Sequence, residues 1–216
     1  MVVEILRHIR KHGTPALLGA AAVLLTGATA SAAVLSPGGT LFPAPGEPDP
    51  TGGVVVATQT IPFAIPGFFD GSLTSTVIRG DTTNPFGANA LTFTYQLTNA
   101  SSSPNAMARL TVDDFTGFQT DASFETPSAG VAPTLIDRNT PDVIGFSFQQ
   151  IGPGPLFPGT NSATLVVQTN AQGFRPTLAN IIDSAAITVP SFSPIPEPAT
   201  LGLAAFGALA LVRRRR

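Results

Sequence analysis

A strict alternation of apolar and polar side chains at residues 91–98 limits this chain to β structure more than any other feature does. Leu91, Phe93, Tyr95 and Leu97 share one side, and threonine or glutamine occupies each position between them. A side-chain period of two is that of an extended strand, and threonine and aromatic residues favour strands. The pattern therefore predicts a strand with one buried face, on which Tyr95 points into the core.

Weaker forms of the same pattern recur through the middle of the chain. Further strands are predicted at residues 54–60, 73–79, 106–112, 143–149, 163–169 and 184–189. No segment here keeps a helical period, and residues 174–183 are expected to form at most one short helical turn. Strands separated by Gly, Pro and Asn clusters predict an all-β domain over residues 54–192. Its expected form is an antiparallel β-sandwich of immunoglobulin-like or jelly-roll type.

Residues 33–53 precede this domain and are rich in Pro and Gly. Proline has no backbone N–H, so it disfavours both helices and the central positions of sheets. We therefore expect an extended, flexible linker that forms no ladder with the strands of the domain.

Residues 1–32 have the three regions of a secretory signal peptide. Basic residues come first, an apolar run follows at residues 16–28, and small residues close the segment. The positions that suit cleavage are Ala28, Ala30 and Ala32. The pattern predicts a signal helix that the Sec translocon recognises and signal peptidase removes. An N-terminal anchor that is never cut is the alternative.

Residues 193–216 form a second three-part segment. Pro196, Glu197 and Pro198 precede an apolar run at residues 201–212, and four arginines follow, Arg213, Arg214, Arg215 and Arg216. The prolines keep the motif extended, so a helix is expected to begin just after it. A short apolar helix with a basic end is typical of a transmembrane-type anchor whose arginines stay cytoplasmic. A core helix with a charged end is the alternative.

This combination of Pro196, Glu197 and Pro198 with an apolar run and four arginines resembles the PEP-CTERM sorting signal. The resemblance implies recognition by an exosortase, a membrane-embedded enzyme that cuts at or near the Pro-Glu-Pro motif. It also implies a bacterium that makes exopolysaccharide. The protein would be held transiently in the inner membrane and would then reach the cell surface or the extracellular biofilm matrix. The β-rich middle is similar to those of other PEP-CTERM proteins, and this similarity carries no known activity.

Between the two end segments, the composition excludes several kinds of chemistry. Residues 33–196 hold four arginines and eleven carboxylates, a formal charge of −7, and they contain no Cys, His or Lys. Catalysis by Ser-His-Asp or Cys-His groups, a lysine Schiff base and a typical zinc site are thereby excluded, so an enzyme is not expected. The acidic balance also argues against nucleic acid as a partner.

One acidic segment could bind a cation. Asp113, Asp114 and Asp121 bracket a threonine-containing loop, and Ca²⁺ binds carboxylate, hydroxyl and carbonyl oxygens. A calcium-dependent carbohydrate-binding sandwich, which would hold extracellular polysaccharide, is therefore the alternative to a non-enzymatic surface or matrix protein. The spacing matches no EF-hand or nonapeptide repeat, so a solvated acidic loop is the simpler interpretation. No other cofactor is expected, and the absence of Trp disfavours a sugar-cleaving site.

Overall fold

Twelve β-strands and no helix make up the part of the chain that this computed structural model describes, residues 34–48, 53–148 and 154–195. In chain order the strands are β1 (Thr40–Leu41), β2 (Gly46–Pro48), β3 (Val54–Ile65), β4 (Phe69–Arg79), β5 (Leu91–Asn99), β6 (Arg109–Val112), β7 (Thr120–Thr126), β8 (Leu135–Asp137), β9 (Ile144–Ser147), β10 (Leu165–Thr169), β11 (Gly173–Ile182) and β12 (Ala186–Ile195). The predicted signal helix and C-terminal helix lie outside the described residues.

The strands form two six-stranded sheets. The first has the order β1-β8-β9-β6-β11-β12, and the second has the order β2-β7-β10-β5-β4-β3. Within the described ranges each neighbouring pair is antiparallel except β2 and β7. Because β12 of the first sheet contacts β3, β4 and β5 of the second, the sheets face one another as in a β-sandwich. The all-β prediction is confirmed, while the choice between immunoglobulin-like and jelly-roll topology stays a prediction.

The core lies between the two sheets. All four apolar residues of the alternating segment in β5 are completely buried, as the pattern predicts, but the expectation of a single buried face is wrong at Thr92 and Thr94, which are buried on the other face. Phe115 packs edge-to-face on Phe93 of this strand, with the ring centroids 6.1 Å apart. From the facing sheet, Leu110, Ile144 and Phe146 belong to the same apolar cluster. Each such side chain stabilises the fold by about 1.5–3 kcal/mol through its removal from water.

The segment predicted as a linker is instead attached to both sheets. β1 pairs with β8 and β2 pairs with β7, and the Leu35 N–H donates a 2.8 Å bond to the Thr120 carbonyl. The expectation that residues 33–53 form no ladder is therefore wrong for residues 34–48. The prolines are accommodated because these strands are two and three residues long and lie at sheet edges, where a missing N–H removes few ladder bonds.

β11 occupies the region where at most a helical turn was predicted, so that prediction is wrong. The strand pairs with β12 along its full length and with β6 at residues 179–182. This central position buries Thr177, Ala179 and Ile181 on one face. Pro176 is tolerated because it lies before the segment that pairs with β6. Two further strands, β7 and β8, were not predicted either.

The free edge of β12 is poorly suited to pairing with another strand. In the register with β11, Pro190 lies opposite Leu178, whose carbonyl accepts a bond from Asp113 on the β6 side. Leu178 and Pro190 therefore form a pair without mutual hydrogen bonds, and the backbone of Pro190 points to the free edge. Pro194 has the same orientation, since it is four residues further along. Both positions lack the N–H that a new strand would need.

A buried arginine connects the first described segment with the loop that follows β6. Arg138 is 1 % exposed. Its guanidinium donates to neutral acceptors, namely the carbonyls of Leu35, Phe115, Phe118 and Pro141 and the Thr120 hydroxyl. Burial lowers the pKa of Arg138, and the charge of Asp142 opposes this effect. The side chain thus acts as a structural crosslink whose acceptors replace water.

The first and last described residues lie at the same end of the sandwich. Val34 forms a bridge with Asp121 at the start of β7, which lies beside the close of β10. Ile195 pairs with Gly173 at the start of β11, and only residues 170–172 separate β10 from β11. We call this the proximal end. The opposite end, where β5 finishes at Asn99, is called the distal end.

Candidate functional site at the proximal end

The predicted processing motif follows the last described strand directly. β12 ends at Ile195, and Pro196, Glu197 and Pro198 are the next residues of the chain. This motif lies outside the described residues, as do the other predicted processing residues, Ala28, Ala30, Ala32, Arg213, Arg214, Arg215 and Arg216. In the ranges that the structure covers, no helix is both long and apolar enough to cross a membrane. The ordered ladder therefore continues to within one residue of the motif.

A cleft of about 670 Å³ opens at this end between β11 and the loop that follows β6. Its charged lining residues are Asp113, Asp114, Asp142 and Arg175. Asp114 Oδ1 lies 3.2 Å from Arg175 Nη2, and Asp114 Oδ2 accepts a 2.6 Å bond from Thr177 Oγ1. Because the side chains of the ion pair are 51 % and 34 % exposed, the pair contributes only about 0–1 kcal/mol.

The backbone at Asp114 explains how this loop presents its carboxylates. Asp114 has a left-handed φ of 74°, a conformation that Asp tolerates better than most residues with a side chain. Gly117, with φ 87°, completes the turn. Phe115 lies between them and is buried, so its ring fixes the loop to the core. The position of the acidic pair is thus set by a local turn and one apolar anchor.

The electrostatic environment of the cleft favours the protonated form of one carboxyl group. Burial raises the pKa of Asp113 above its ordinary value of 3.8, and the charges of Asp142 and Asp114 raise it further. A hydrogen bond from Asn180 acts in the opposite direction. Since residues 33–196 contain no Cys, His or Lys, the chemistry available to the cleft is that of carboxylates, one guanidinium and hydroxyls.

Asp121 does not join the predicted cation site. It lies on β7 in the second sheet, where it pairs with Gln168, while Asp113 and Asp114 follow β6 in the first sheet. Its side chain is 1 % exposed, and Val34 bridges it on the other side. Within residues 34–48, 53–148 and 154–195, no three His, Cys, Asp or Glu side chains are grouped so that they could hold a metal ion. The structure therefore does not bring the three predicted calcium ligands together.

Sequence reasoning missed the partners of Asp114. Thr177 is 63 residues away along the chain, and Arg175 is its neighbour on the same strand. A signal for this strand was present, because Thr177, Ala179 and Ile181 alternate with residues that face outward. Pro176 and Gly173 obscured it, since both residues are depleted in strands.

The comparisons with known proteins concern the end of the chain. A family model described as the PEP-CTERM protein-sorting motif matches residues 194–216, which confirms the resemblance carried by Pro196, Glu197 and Pro198. The match begins inside β12, at Pro194. No curated protein and no solved structure matches the chain. The motif implies export, processing by an exosortase and sorting to the cell surface.

Proposed function

We propose that this chain, which carries a PEP-CTERM protein-sorting motif at residues 194–216, is a non-enzymatic protein of the cell surface or the exopolysaccharide matrix. It enters the general secretory route through residues 1–32. Residues 201–212 then hold it transiently in the inner membrane, with the four arginines on the cytoplasmic side. An exosortase cuts at or near Pro196, Glu197 and Pro198 and releases the sandwich for its final location.

The observation that carries this proposal is the direct continuity between the folded domain and the sorting motif. Ile195 is the last residue of β12, and Pro196, the first residue of the Pro-Glu-Pro tripeptide, follows it directly. The two prolines around Glu197 disfavour helix at the residues that precede them, so the motif is expected to be extended. An extended segment at the rim of a folded domain suits a protease or transpeptidase, whose site must fit around the backbone.

The non-enzymatic part of the proposal is supported by composition and by the proximal cleft. Residues 33–196 lack Cys, His and Lys, which removes Ser-His-Asp and Cys-His catalysis and a lysine Schiff base. In the cleft, both oxygens of Asp114 already have partners in Arg175 and Thr177. Asp114 therefore has a structural role, because it joins the loop that follows β6 to β11.

The test is the intact mass of the protein recovered from each cell fraction of the producing bacterium. The expected species begins near residue 33 and ends near Pro196. A Glu197→Ala variant should be exported but should retain residues 197–216 in the inner-membrane fraction. Glu125→Ala, which changes a glutamate in β7, is the matched control and should be processed normally. Normal loss of the tail from Glu197→Ala would overturn the sorting proposal.

A second candidate function is binding of extracellular polysaccharide, and it does not depend on calcium. It is favoured by an uncharged cleft at the distal end, lined by amide and hydroxyl side chains. In a protein held at its proximal end, this surface is directed away from the membrane.

A further inference from the structure

The distal end carries a cleft whose lining is uncharged. β5 connects the two ends, because Leu91 N donates to the Ala171 carbonyl at the proximal end and Asn99 N donates to the Thr160 carbonyl at the distal end. Its nine residues span roughly 26 Å at ~3.3 Å per residue. The cleft has a volume of about 660 Å³ and lies between residues 128–132, residues 159–161 and the side chain of Gln96.

The walls of this cleft are held by backbone contacts. Val131 N donates to the Asn161 carbonyl and Ala163 N donates to the Val131 carbonyl, each at 2.8 Å. Gly130 lies so close to Ser162 that a Cβ at this position would collide with the Ser162 carbonyl. The two loops are therefore joined without large side chains, and this leaves the cleft open. A site built in this way is largely formed before a ligand arrives.

Two of the polar side chains in the cleft are available to a ligand. Each hydroxyl already makes one hydrogen bond within the protein, since Thr160 Oγ1 donates to the Phe157 carbonyl at 2.7 Å and Ser128 Oγ accepts from Gly130 N at 3.2 Å. The side-chain amides of Gln96, which is half-buried, and Asn161, which is exposed, make no hydrogen bond to another described residue. Each amide offers two donors and one carbonyl acceptor, which matches the mixed donor and acceptor character of neighbouring sugar hydroxyls.

The lining also restricts the charge of the ligand. Among the described residues, none that lines the cleft is charged. A phosphate, sulfate or uronate group would lose water there without gaining a cationic partner, which is unfavourable. Ala129, Val131 and Ala132 supply apolar contacts for the C–H faces of a ring, and Phe157 in the adjoining loop is 54 % exposed. A neutral, hydroxyl-rich ligand therefore satisfies both the polar and the apolar groups.

We propose that this distal cleft binds a neutral oligosaccharide segment of an extracellular polysaccharide, with the amides of Gln96 and Asn161 as the main polar contacts. The proposal rests on the proposed surface location only for its biological setting, because the cleft belongs to the folded domain itself. A volume of about 660 Å³ lies within the range of roughly 300–1,000 Å³ that is usual for small-ligand sites.

The experiment uses the protein recovered from the producing bacterium and an array of neutral and uronic-acid-containing oligosaccharides, followed by calorimetry on the neutral oligosaccharide that binds best. Gln96→Leu and Asn161→Ala should each weaken its binding about tenfold, as expected for loss of a hydrogen-bonding group. Gln172→Leu changes an exposed glutamine at the proximal end and should bind like the unaltered protein. Thermal melting of each variant verifies folding, and Gln96→Glu is used if Gln96→Leu unfolds.

Several results would overturn the proposal. The unaltered protein could bind no neutral oligosaccharide on the array, or only those that contain uronic acid. The two cleft variants could bind as tightly as the Gln172→Leu control. The intact mass of the same samples distinguishes failure of the binding proposal from failure of the sorting proposal. Binding by protein that keeps residues 197–216 would support the cleft and contradict processing, whereas processed protein without binding would do the reverse.

Discussion

The hydroxyl of Tyr95 donates a 2.8 Å hydrogen bond to the backbone carbonyl of Phe192, and this bond links the centre of one sheet to the free edge of the other. Burial raises the pKa of this phenol well above its ordinary value, so it stays a donor at any physiological pH. Phe192 also packs edge-to-face on Phe174, with centroids 5.6 Å apart. The contacts that β12 makes just before the sorting motif therefore depend on a residue from the opposite sheet.

Tyr95→Phe should lower the free energy of unfolding by about 1 kcal/mol, because it leaves the Phe192 carbonyl without its donor. Denaturant unfolding measures the change. Thr60→Val is the comparison variant, since it removes an exposed hydroxyl that lies 2.9 Å from the hydroxyl of Thr74. Its effect should be smaller because water replaces the lost bond. Equal losses in the two variants would contradict a special role for the Tyr95 bond.

Asp113→Asn should stabilise the protein near neutral pH and not in acid. The pKa of Asp113 is raised in the folded state, so the native protein holds this proton more tightly than the unfolded chain does. The stability that comes from this tighter proton binding is therefore fully present below the ordinary pKa of 3.8. It is lost as pH rises through the pKa that Asp113 has in the folded protein. We expect Tm to rise by about 1–2 °C near neutral pH. An equal rise at about pH 3, where the carboxyl is protonated in both states, would contradict this explanation.

Gly145→Ala should disrupt an ion pair on the outer face of the first sheet. Arg109 extends across Gly145 to reach Asp137, with Nη1–Oδ2 and Nη2–Oδ1 distances of 2.6 and 2.8 Å. A Cβ on Gly145 would overlap the guanidinium. Asp137 is almost completely buried, so its displacement from Arg109 should cost about 2 kcal/mol. Calorimetric melting gives the loss.

The matched background for this variant is Arg109→Met. If the cost of Gly145→Ala arises from the ion pair, the glycine substitution should have little further effect once the guanidinium is absent. Additive losses in the double variant would instead point to strain in β9 itself.

Arg138→Lys should destabilise the protein nearly as much as Arg138→Met, by about 3 kcal/mol. The arginine fork reaches acceptors in three segments, at Leu35, at Phe115 and Phe118, and at Pro141. An ammonium has three donors and no planar fork, so several carbonyls would be left without a partner. Limited proteolysis should show earlier cleavage around residues 34–40. Full stability of the lysine variant would show that charge alone suffices.

The strands that could be predicted are those whose burial pattern is local. The four inward residues of β5 repeat every second position, and the structure buries all of them. β7 carried a comparable signal, in which Ala122 and Phe124 alternate with Asp121 and Ser123, but its acidic start was interpreted as a loop. β1 and β2 gave no such signal, because two or three residues have no period and their pairing depends on β8 and β7.

In the candidate site, too, only the local features could be predicted from the sequence. The turn at Asp113 and Asp114 follows from adjacent acidic residues and a nearby glycine, which are local features. The ion pair with Arg175 and the separation of Asp121 from the loop are consequences of which strands become neighbours. Long-range pairing of this kind is not contained in the spacing of residues along one segment. The sorting motif could be identified because its recognition depends on a contiguous stretch of chain.

The position of Ile195 at the proximal end determines how the domain would bear mechanical force. A pull between a ligand in the distal cleft and the tail acts along the axis of β12. Ladder bonds are perpendicular to that axis, so the ten residue pairs between β11 and β12 would be loaded in shear together and not opened one by one. Val34 and Ile195 both lie at the proximal end, so a pull between them would separate strands at the sheet edges and break their ladder bonds one after another. The β11–β12 ladder would therefore resist a pull along β12 better than a pull that separates the edges of the sheets.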